Sequence, residues 1–363
     1  MSSLSCGIVG LPNVGKSTIF SALTNAAAES ANYPFTTIEP NIAVVDIPDE
    51  RLSNLHKLLN SEKNIPASLK FVDIAGLVKG ASDGEGLGNK FLANIREVDA
   101  IAHVLRCFGG DTTHVLETVD PIRDLEIINL ELAISDLQIL EKRILKLDKI
   151  KKSGDKEALR EYEIVNEIIN LLNKNESLNI NANFEKNDLQ IVKRLNLIST
   201  KPMMYVLNYG TTSIEEEKTS QLKEVILRRG DSYIEIYGLL ENEIRDLDDK
   251  EKKLFLKEYD ISETGLRVLI NKAYSMLNLI TFYTAGPKET RAWSIMNNST
   301  APTAAGKIHS DFQKGFIRAE IIDYSDYIEL GSEEEVKNKG LIRSEGKDYI
   351  VKDGDIVHFR YNV

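Results

Sequence analysis

Gly10-Leu11-Pro12-Asn13-Val14-Gly15-Lys16-Ser17-Thr18 lies between the apolar run Cys6-Gly7-Ile8-Val9 and Ile19-Phe20-Ser21-Ala22-Leu23, whose apolar residues recur at helical spacing. The pattern G-x-x-x-x-G-K-S between a strand and a helix is the context a phosphate-binding loop requires. Glycines let the backbone curl until successive N–H groups point inward, and the helix N-terminus adds its positive end. Lys16 then reaches the β- and γ-phosphates and the Ser17 hydroxyl takes a place on Mg²⁺, with Asn13, Val14, Gly15 and Thr18 completing the grip. The stretch predicts a nucleoside triphosphate site.

Working outward, apolar runs at 6–9, 42–47, 69–74, 100–107, 203–207 and 233–237 read as buried strands with amphipathic stretches between several of them. That order predicts an α/β fold with a mostly parallel sheet. Between the first two strands, Asn32-Tyr33-Pro34-Phe35-Thr36-Thr37-Ile38-Glu39-Pro40-Asn41 reads as a loop because of its prolines and threonines. A nucleotide switch keeps its Mg²⁺-completing, γ-phosphate-sensing threonine in such a loop; Thr37 is the candidate and Thr36 the alternative. The next strand ends in Asp73-Ile74-Ala75-Gly76, a D-x-x-G. Asp73 is placed to hold Mg²⁺ through water, and Gly76 leaves its N–H unobstructed for the γ-phosphate. The glycines of 80–88 give a segment free enough to switch.

From about 122 to 175 the apolar positions Leu125, Ile128, Leu132, Leu137, Leu140, Ile144 and Leu147, then Leu159, Tyr162, Val165, Ile168, Ile169 and Leu172, recur at helical spacing around the breaker Lys151–Lys156. An antiparallel helical hairpin inserted into the α/β domain follows, with its stripe as a packing seam. After a polar linker near 173–187 and a helical stretch at 241–257, the chain turns to short strands, among them Arg291–Ile295, Phe316–Ile322, Tyr349–Val351 and Ile356–Tyr361. They predict a small, separate, β-rich C-terminal domain. Its Lys307, His309, Lys314 and Arg318 lie among Phe312 and Phe316, the mixture RNA-binding surfaces use for phosphates and stacked bases; solvated charges beside core phenylalanines explain it equally well.

Composition narrows the function. The 363 residues, 42% hydrophobic and 28% charged, have ample length for a sizeable core and suggest two or three domains. A formal net charge of −11 argues against general electrostatic binding of nucleic acid, and DNA is not an expected partner. No apolar run approaches a membrane span, so no membrane association is expected. Cys6 and Cys107, both inside apolar runs, form no disulfide framework, and a cytoplasmic location is expected. The five histidines show no zinc-ligand spacing.

In their order these motifs resemble the Obg-like ATPases of the YchF family, within the translation-factor-related P-loop GTPases. The likeness is carried by Gly7–Thr18, Tyr33–Asn41, Asp73–Ile95, Phe282–Trp293, Ala301–Ala319 and Glu345–Asp355, from the first strand to the C-terminus. It implies a Ras-like nucleotide-binding domain over 4–257, a coiled-coil-like insertion at about 122–199, and a β-grasp-like TGS domain over 279–362. It also implies ribosome association, with the large subunit as the expected contact, and ATP preferred to GTP. Asn13 matches an asparagine of potassium-activated relatives, which makes K⁺ a second expected cofactor beside Mg²⁺. His114 matches a family histidine proposed to assist hydrolysis, giving a catalytic set of His114, Lys16 and Gly76.

Two departures bear on chemistry. Leu77 occupies the position where Ras-like enzymes orient water with glutamine, so unassisted turnover is expected to be slow. Guanine-specific relatives carry an acid three positions after an asparagine; here the stretch is Asn208-Tyr209-Gly210-Thr211. Without that acid guanine's donors lack a charged acceptor, so adenine is favoured by default, with Asn208 offering its amide to the base. The leading expectation is a slow, Mg²⁺-dependent ATPase switch acting in translation or stress regulation. A ribosome- or RNA-binding adaptor with nucleotide as a regulatory ligand is the alternative. A small-molecule kinase fits the switch-like loops less well.

Overall fold

The computed structural model describes residues 4–29, 41–74, 86–109, 118–150, 154–174, 178, 183–185, 187–210, 212, 214–245, 247, 249–258 and 263–362. All six apolar runs read as strands form the first sheet. In chain order its strands are β1 (Ser5–Val9), β2 (Ile42–Asp46), β4 (Ser68–Asp73), β5 (Ala100–Arg106), β6 (Met203–Asn208) and β7 (Ser232–Ile236). The spatial order is β2-β4-β1-β5-β6-β7, with β2 antiparallel to β4 and the other pairs parallel. Every residue of β1 and β5 is buried, whereas edge strand β2 alternates, as burial on two faces and on one face dictates. The carboxyl ends of β1, β4, β5 and β6 share one edge, where parallel sheets place ligands. Helix α1 (Lys16–Glu29) starts directly after the phosphate-binding loop.

Helix α2 (Glu50–Leu59) and strand β3 (Lys63–Ile65) connect β2 to β4, and α3 (Gly86–Glu97) precedes β5. The helical hairpin is α4 (Pro121–Ile150) and α5 (Lys156–Asn173). The breaker between them works through Asp155, whose carboxylate caps α5 by accepting from Glu157 and Ala158 N–H at 2.9 and 3.1 Å. The seam divides in two. Ile128 and Leu132 pack into the core of the first sheet, while Leu140, Leu147, Val165, Ile168 and Leu172 form a separate core between the helices. Leu159 lies outside that seam, 48% exposed. At the junction, fully buried Asp136 accepts from Ile198 N (3.1 Å), Ser199 N (2.8 Å), Ser199 Oγ (2.6 Å) and Arg96 Nη2 (3.1 Å). Four donors satisfy a carboxylate that burial alone would forbid.

The C-terminal part builds a second, mixed sheet from β8 (Leu279–Ala285), β9 (Glu289–Met296), β10 (Phe316–Ile322), β11 (Arg343–Glu345) and β12 (Ile356–Tyr361). The order is β11-β10-β12-β8-β9-β3, so β3, from far earlier in the chain, pairs parallel with β9 as an edge strand. The helix Ala301–Ile308 packs Ala301, Ala304 and Ala305 into this sheet's core. Tyr349–Val351, expected as a strand, contributes an isolated bridge between Ile350 and Thr300. The expected separateness of this domain is not what the packing gives. Leu52 and Leu55 of α2 share one core with Tyr283, Ala292, Ile322 and Ile356. No described helix is long and apolar enough to cross a membrane.

Candidate functional site

The phosphate-binding loop leaves β1 and turns into α1 through two left-handed residues, Asn13 (φ 64°) and Gly15 (φ 88°). Glycine is required at 15 twice over. Its φ is unfavourable for other residues, and a Cβ there would stand 2.1 Å from Asn208 Nδ2. Asn13 and Ser17 are exposed, whereas Val14 is buried and anchors the loop in the core. Lys16 Nζ donates to Asp73 Oδ1 at the end of β4, both groups being partly buried. The structure therefore brings Lys16, Ser17 and Asp73 to one place, as the motif order predicts. Thr36, Thr37, Gly76, Leu77, His114 and Thr211 lie outside the described residues.

Asn208, at the end of β6 and 3% exposed, lines the cleft and also makes two backbone contacts that the sequence did not announce. Its Nδ2 donates to Val14 O at 2.9 Å and its Oδ1 accepts from Gly238 N at 3.1 Å. Both heteroatoms of the amide thus tie the phosphate-binding loop to the turn after β7. The residue positions the loop through the backbone, which is why its neighbours at 15 and 238 are glycines: a Cβ on Gly238 would come within 3.1 Å of Oδ1.

A cleft of about 550 Å³ runs from Lys16 and Ser17 past Asn208 to Phe108, Tyr209, Gly210 and Leu239. Its size suits a nucleotide. Phe108 packs against Gly210, where a Cβ would meet Phe108 Cβ at 2.9 Å, and the Arg106 guanidinium sits 4.5 Å from the Phe108 ring centre. Arg106 is fully buried. Its Nε donates to Phe108 O at 3.0 Å and its Nη1 reaches towards Asn13 O at 3.5 Å. Burial lowers its pKa, and the nearby Asp124 carboxylate opposes that shift. Leu239 is 59% exposed at the mouth of the cleft. Burial raises the pKa of the Tyr209 phenol, whose ring centre lies 5.5 Å from that of Tyr237. Sequence reasoning missed Arg106 and Phe108. The available signal was a charge ending the apolar run of β5, a position that is rarely charged unless it holds something.

Among the described residues no group of three or more His, Cys, Asp or Glu side chains converges. The hard oxygen donors at hand, the Asp73 carboxylate and the Ser17 hydroxyl, are too few for a protein cage. They fit Mg²⁺, which keeps waters and substrate phosphates in its shell. A larger groove, about 1020 Å³, lies at the opposite end of the first sheet, between Leu132, Lys201, Arg229 and Lys272. In the C-terminal domain Phe312 stacks on Tyr361 with ring centres 3.9 Å apart, and His309 lies 6.1 Å from Phe312. Phe316 is 6% exposed and belongs to the core, so it offers no face to a base. Arg318 is paired with Glu320 at 3.0 Å.

Comparisons with known proteins agree with this geometry. Residues 5–149 match the family model MMR_HSR1, described as "50S ribosome-binding GTPase". Residues 279–362 match YchF-GTPase_C, described as a protein of unknown function. The chain is 49% identical over 360 residues to "Ribosome-binding ATPase YchF" of Haemophilus influenzae, covering 99% of both chains. It is 47% identical over 366 residues to the protein of the same name from Bacillus subtilis, covering 99% of this chain and 100% of that protein. The solved structure of the Schizosaccharomyces pombe YchF GTPase superposes with a TM-score of 0.90 at 35% identity, covering 99% of this chain and 98% of that one. With identity at this level over the whole length, and both sheets accounted for, the chain belongs to the YchF family.

Proposed function

We propose that this protein is a slow, Mg²⁺-dependent nucleoside triphosphatase that hydrolyses ATP, with GTP as the competing substrate, and engages the ribosome from the cytoplasm. The observation that carries the reading is Lys16 Nζ held on Asp73 beside the exposed Ser17 hydroxyl, at the mouth of a nucleotide-sized cleft. The names of the relatives, ribosome-binding ATPases, point the same way. On binding, Lys16 exchanges the Asp73 carboxylate for phosphate oxygens, and the loop N–H groups surround the phosphates. Ser17 and Asp73, with Thr37, would hold Mg²⁺, which when bound neutralises charge on the transferring phosphoryl group. Asn208 keeps the loop in place from behind, through Val14 and Gly238.

Leu77 cannot orient water, so that task falls to His114, with Gly76 N–H supporting the γ-phosphate; Asn13 would hold K⁺. The large ribosomal subunit is the expected contact, and the Phe312–Tyr361 stack with Lys307, His309 and Lys314 is the face offered to RNA. Phosphate release from ATP and GTP, measured with and without K⁺ and ribosomes, tests the reading. Hydrolysis should be slow alone, rise with either addition, and vanish in Lys16→Ala. No phosphate from either nucleotide under any of these conditions would end it. Leu77 favours one competing account, an adaptor that binds nucleotide without useful turnover. Ribosome binding that persists in a His114→Ala variant with unchanged hydrolysis would support that account.

A further inference from the structure

The segment between β2 and β4 belongs spatially to the C-terminal domain. Glu62 N donates to Pro287 O at 3.0 Å, β3 pairs with β9 from Lys63↔Glu289 to Ile65↔Arg291, and Ser61 Oγ meets the buried Thr290 Oγ at 2.9 Å. Where the chain leaves β2, Asp49 caps α2 by accepting from Arg51 N at 3.0 Å, and its other oxygen accepts from the Tyr283 hydroxyl. Arg51 donates through Nε to Asp49 at 3.2 Å and through Nη1 to Asp353 at 2.7 Å; Asp353 in turn accepts from Thr281 N at 2.8 Å. The Tyr283 ring beneath them is fully buried, with its centre 5.5 Å from the guanidinium carbon.

The two strands leaving this cluster run to the nucleotide cleft. Strand β2 pairs with β4 from Asp46↔Ser68 to Ile42↔Val72, and β4 ends at Asp73, the partner of Lys16. From Ser68 to Asp73 is about 17 Å at about 3.4 Å per residue. We propose that Asp49, Arg51, Tyr283 and Asp353 are positioning residues for nucleotide turnover, through which the C-terminal sheet holds the β2–β4 hairpin and with it Asp73. The proposal rests on Lys16 and Asp73 forming the nucleotide site.

The chemistry of the attachment suits this role. Leu52 and Leu55 already join α2 to the second sheet by apolar contact, so cohesion does not need the polar cluster. Hydrogen bonds and ion pairs add direction, because they hold only one register of Asp49 against Tyr283. Any ligand of the C-terminal sheet that binds two placements of this cluster unequally must shift the affinity for nucleotide, and nucleotide must shift the affinity for that ligand by the same factor.

The test uses the full chain with Arg51→Met, Arg51→Lys, Tyr283→Phe and the double variant Arg51→Met/Tyr283→Phe. Steady-state ATP hydrolysis, Mg²⁺–ADP affinity and melting temperature are read for each. Expected are kcat changes of at least threefold in Arg51→Met and Tyr283→Phe, a smaller change in Arg51→Lys, which keeps the charge but not the fork to Asp49 and Asp353, and non-additive kcat effects in the double variant. Unchanged kcat, KM and ADP affinity alongside a lowered melting temperature would overturn the proposal and leave the cluster merely structural. Should Arg51→Met fail to fold, Asp353→Asn, at the half-exposed edge of the cluster, carries the same expectation. Lys16→Ala separates the two levels. Hydrolysis surviving in it defeats the site reading, whereas hydrolysis lost in it but unmoved in Arg51→Met and Tyr283→Phe defeats only the positioning role.

Discussion

Replacing Asn208 separates a residue that reads the base from one that holds the loop. In Asn208→Ala the Val14 carbonyl and the Gly238 N–H lose their partners in a region where Asn208 itself is 3% exposed. Each orphaned buried group costs about 1–3 kcal/mol, and the adjoining cleft lets water recover part of it, so the protein should lose about 2–3 kcal/mol without any nucleotide present. That is a drop of about 4–6 °C in melting temperature for a nucleotide-binding domain of about 250 residues. Asn208→Asp sharpens the test. Its shape is retained and one oxygen still accepts from Gly238 N–H, but the second oxygen now faces Val14 O, acceptor against acceptor. The variant carboxyl is then pushed above its ordinary pKa. Below that raised pKa it is protonated and donates to Val14 O; above it the bridge fails. Mg²⁺–ATP affinity of Asn208→Asp, measured by displacement of a fluorescent nucleotide, should therefore recover as pH falls from 8 towards 5, relative to wild type. An apo melting temperature in Asn208→Ala equal to wild type, with nucleotide affinity lost, would refute the bridge and restore the direct base contact.

Further outcomes follow from single buried groups. Gly15→Ala should abolish nucleotide binding and lower stability, because its Cβ would fall 2.1 Å from Asn208 Nδ2 at a φ of 88°; normal binding in a fluorescence titration would contradict this. His103 on β5 is fully buried with neither ring nitrogen hydrogen-bonded, and burial holds its pKa down at about 3. A group depressed in the folded state takes stability away as pH falls below its unfolded value of about 6.5, so by pH 5 the cost is about 2 kcal/mol. Urea unfolding of His103→Leu at pH 7.5 and 5 should show that much less acid sensitivity than wild type. Asp136→Ala should cost about 3–5 kcal/mol, since it orphans two backbone N–H groups and the Ser199 hydroxyl and takes the carboxylate from Arg96, which keeps Ser135 Oγ and Asn196 O; urea unfolding measures it, and a loss below 1 kcal/mol would contradict the account.

The first sheet was legible because β1, β5 and β6 are buried along almost their whole length, β4 turns Leu69 and Phe71 into the core, and turn residues separate the strands from their neighbours. Lys16, Ser17 and Asp73 were legible because phosphate chemistry fixes residue type and spacing at once. Asn208 was found, but its backbone partners Val14 and Gly238 were not foreseen. An asparagine at a strand end signals a polar task, yet whether its amide meets a base or a backbone depends on Gly15 and Gly238 approaching from distant parts of the chain. Arg106 was missed for a related reason. A lone charge closing a buried strand has no pattern, and its partners, Phe108 and the loop at Asn13, are joined to it only by the fold.

The least legible feature was where Lys63–Ile65 belongs. Three residues of mixed polarity carry no periodicity, and nothing local says that they pair with β9, more than two hundred positions later. The stretch nonetheless decides how the two halves of the chain communicate. If it merely turned back, β2 and β4 would be a plain hairpin and the C-terminal domain could hang on a linker. Because it is a strand of the second sheet, the connection between β2 and β4 is held to that domain through β3 on β9 and Asp49 on Tyr283, while the far end of β4 carries Asp73. Rigid-body movement of the C-terminal sheet therefore has no soft segment between β3 and the Lys16 partner in which to be absorbed. Two residues, Pro66 and Ala67, separate β3 from β4, and Ala67 O is tied to Ile47 N at 2.7 Å.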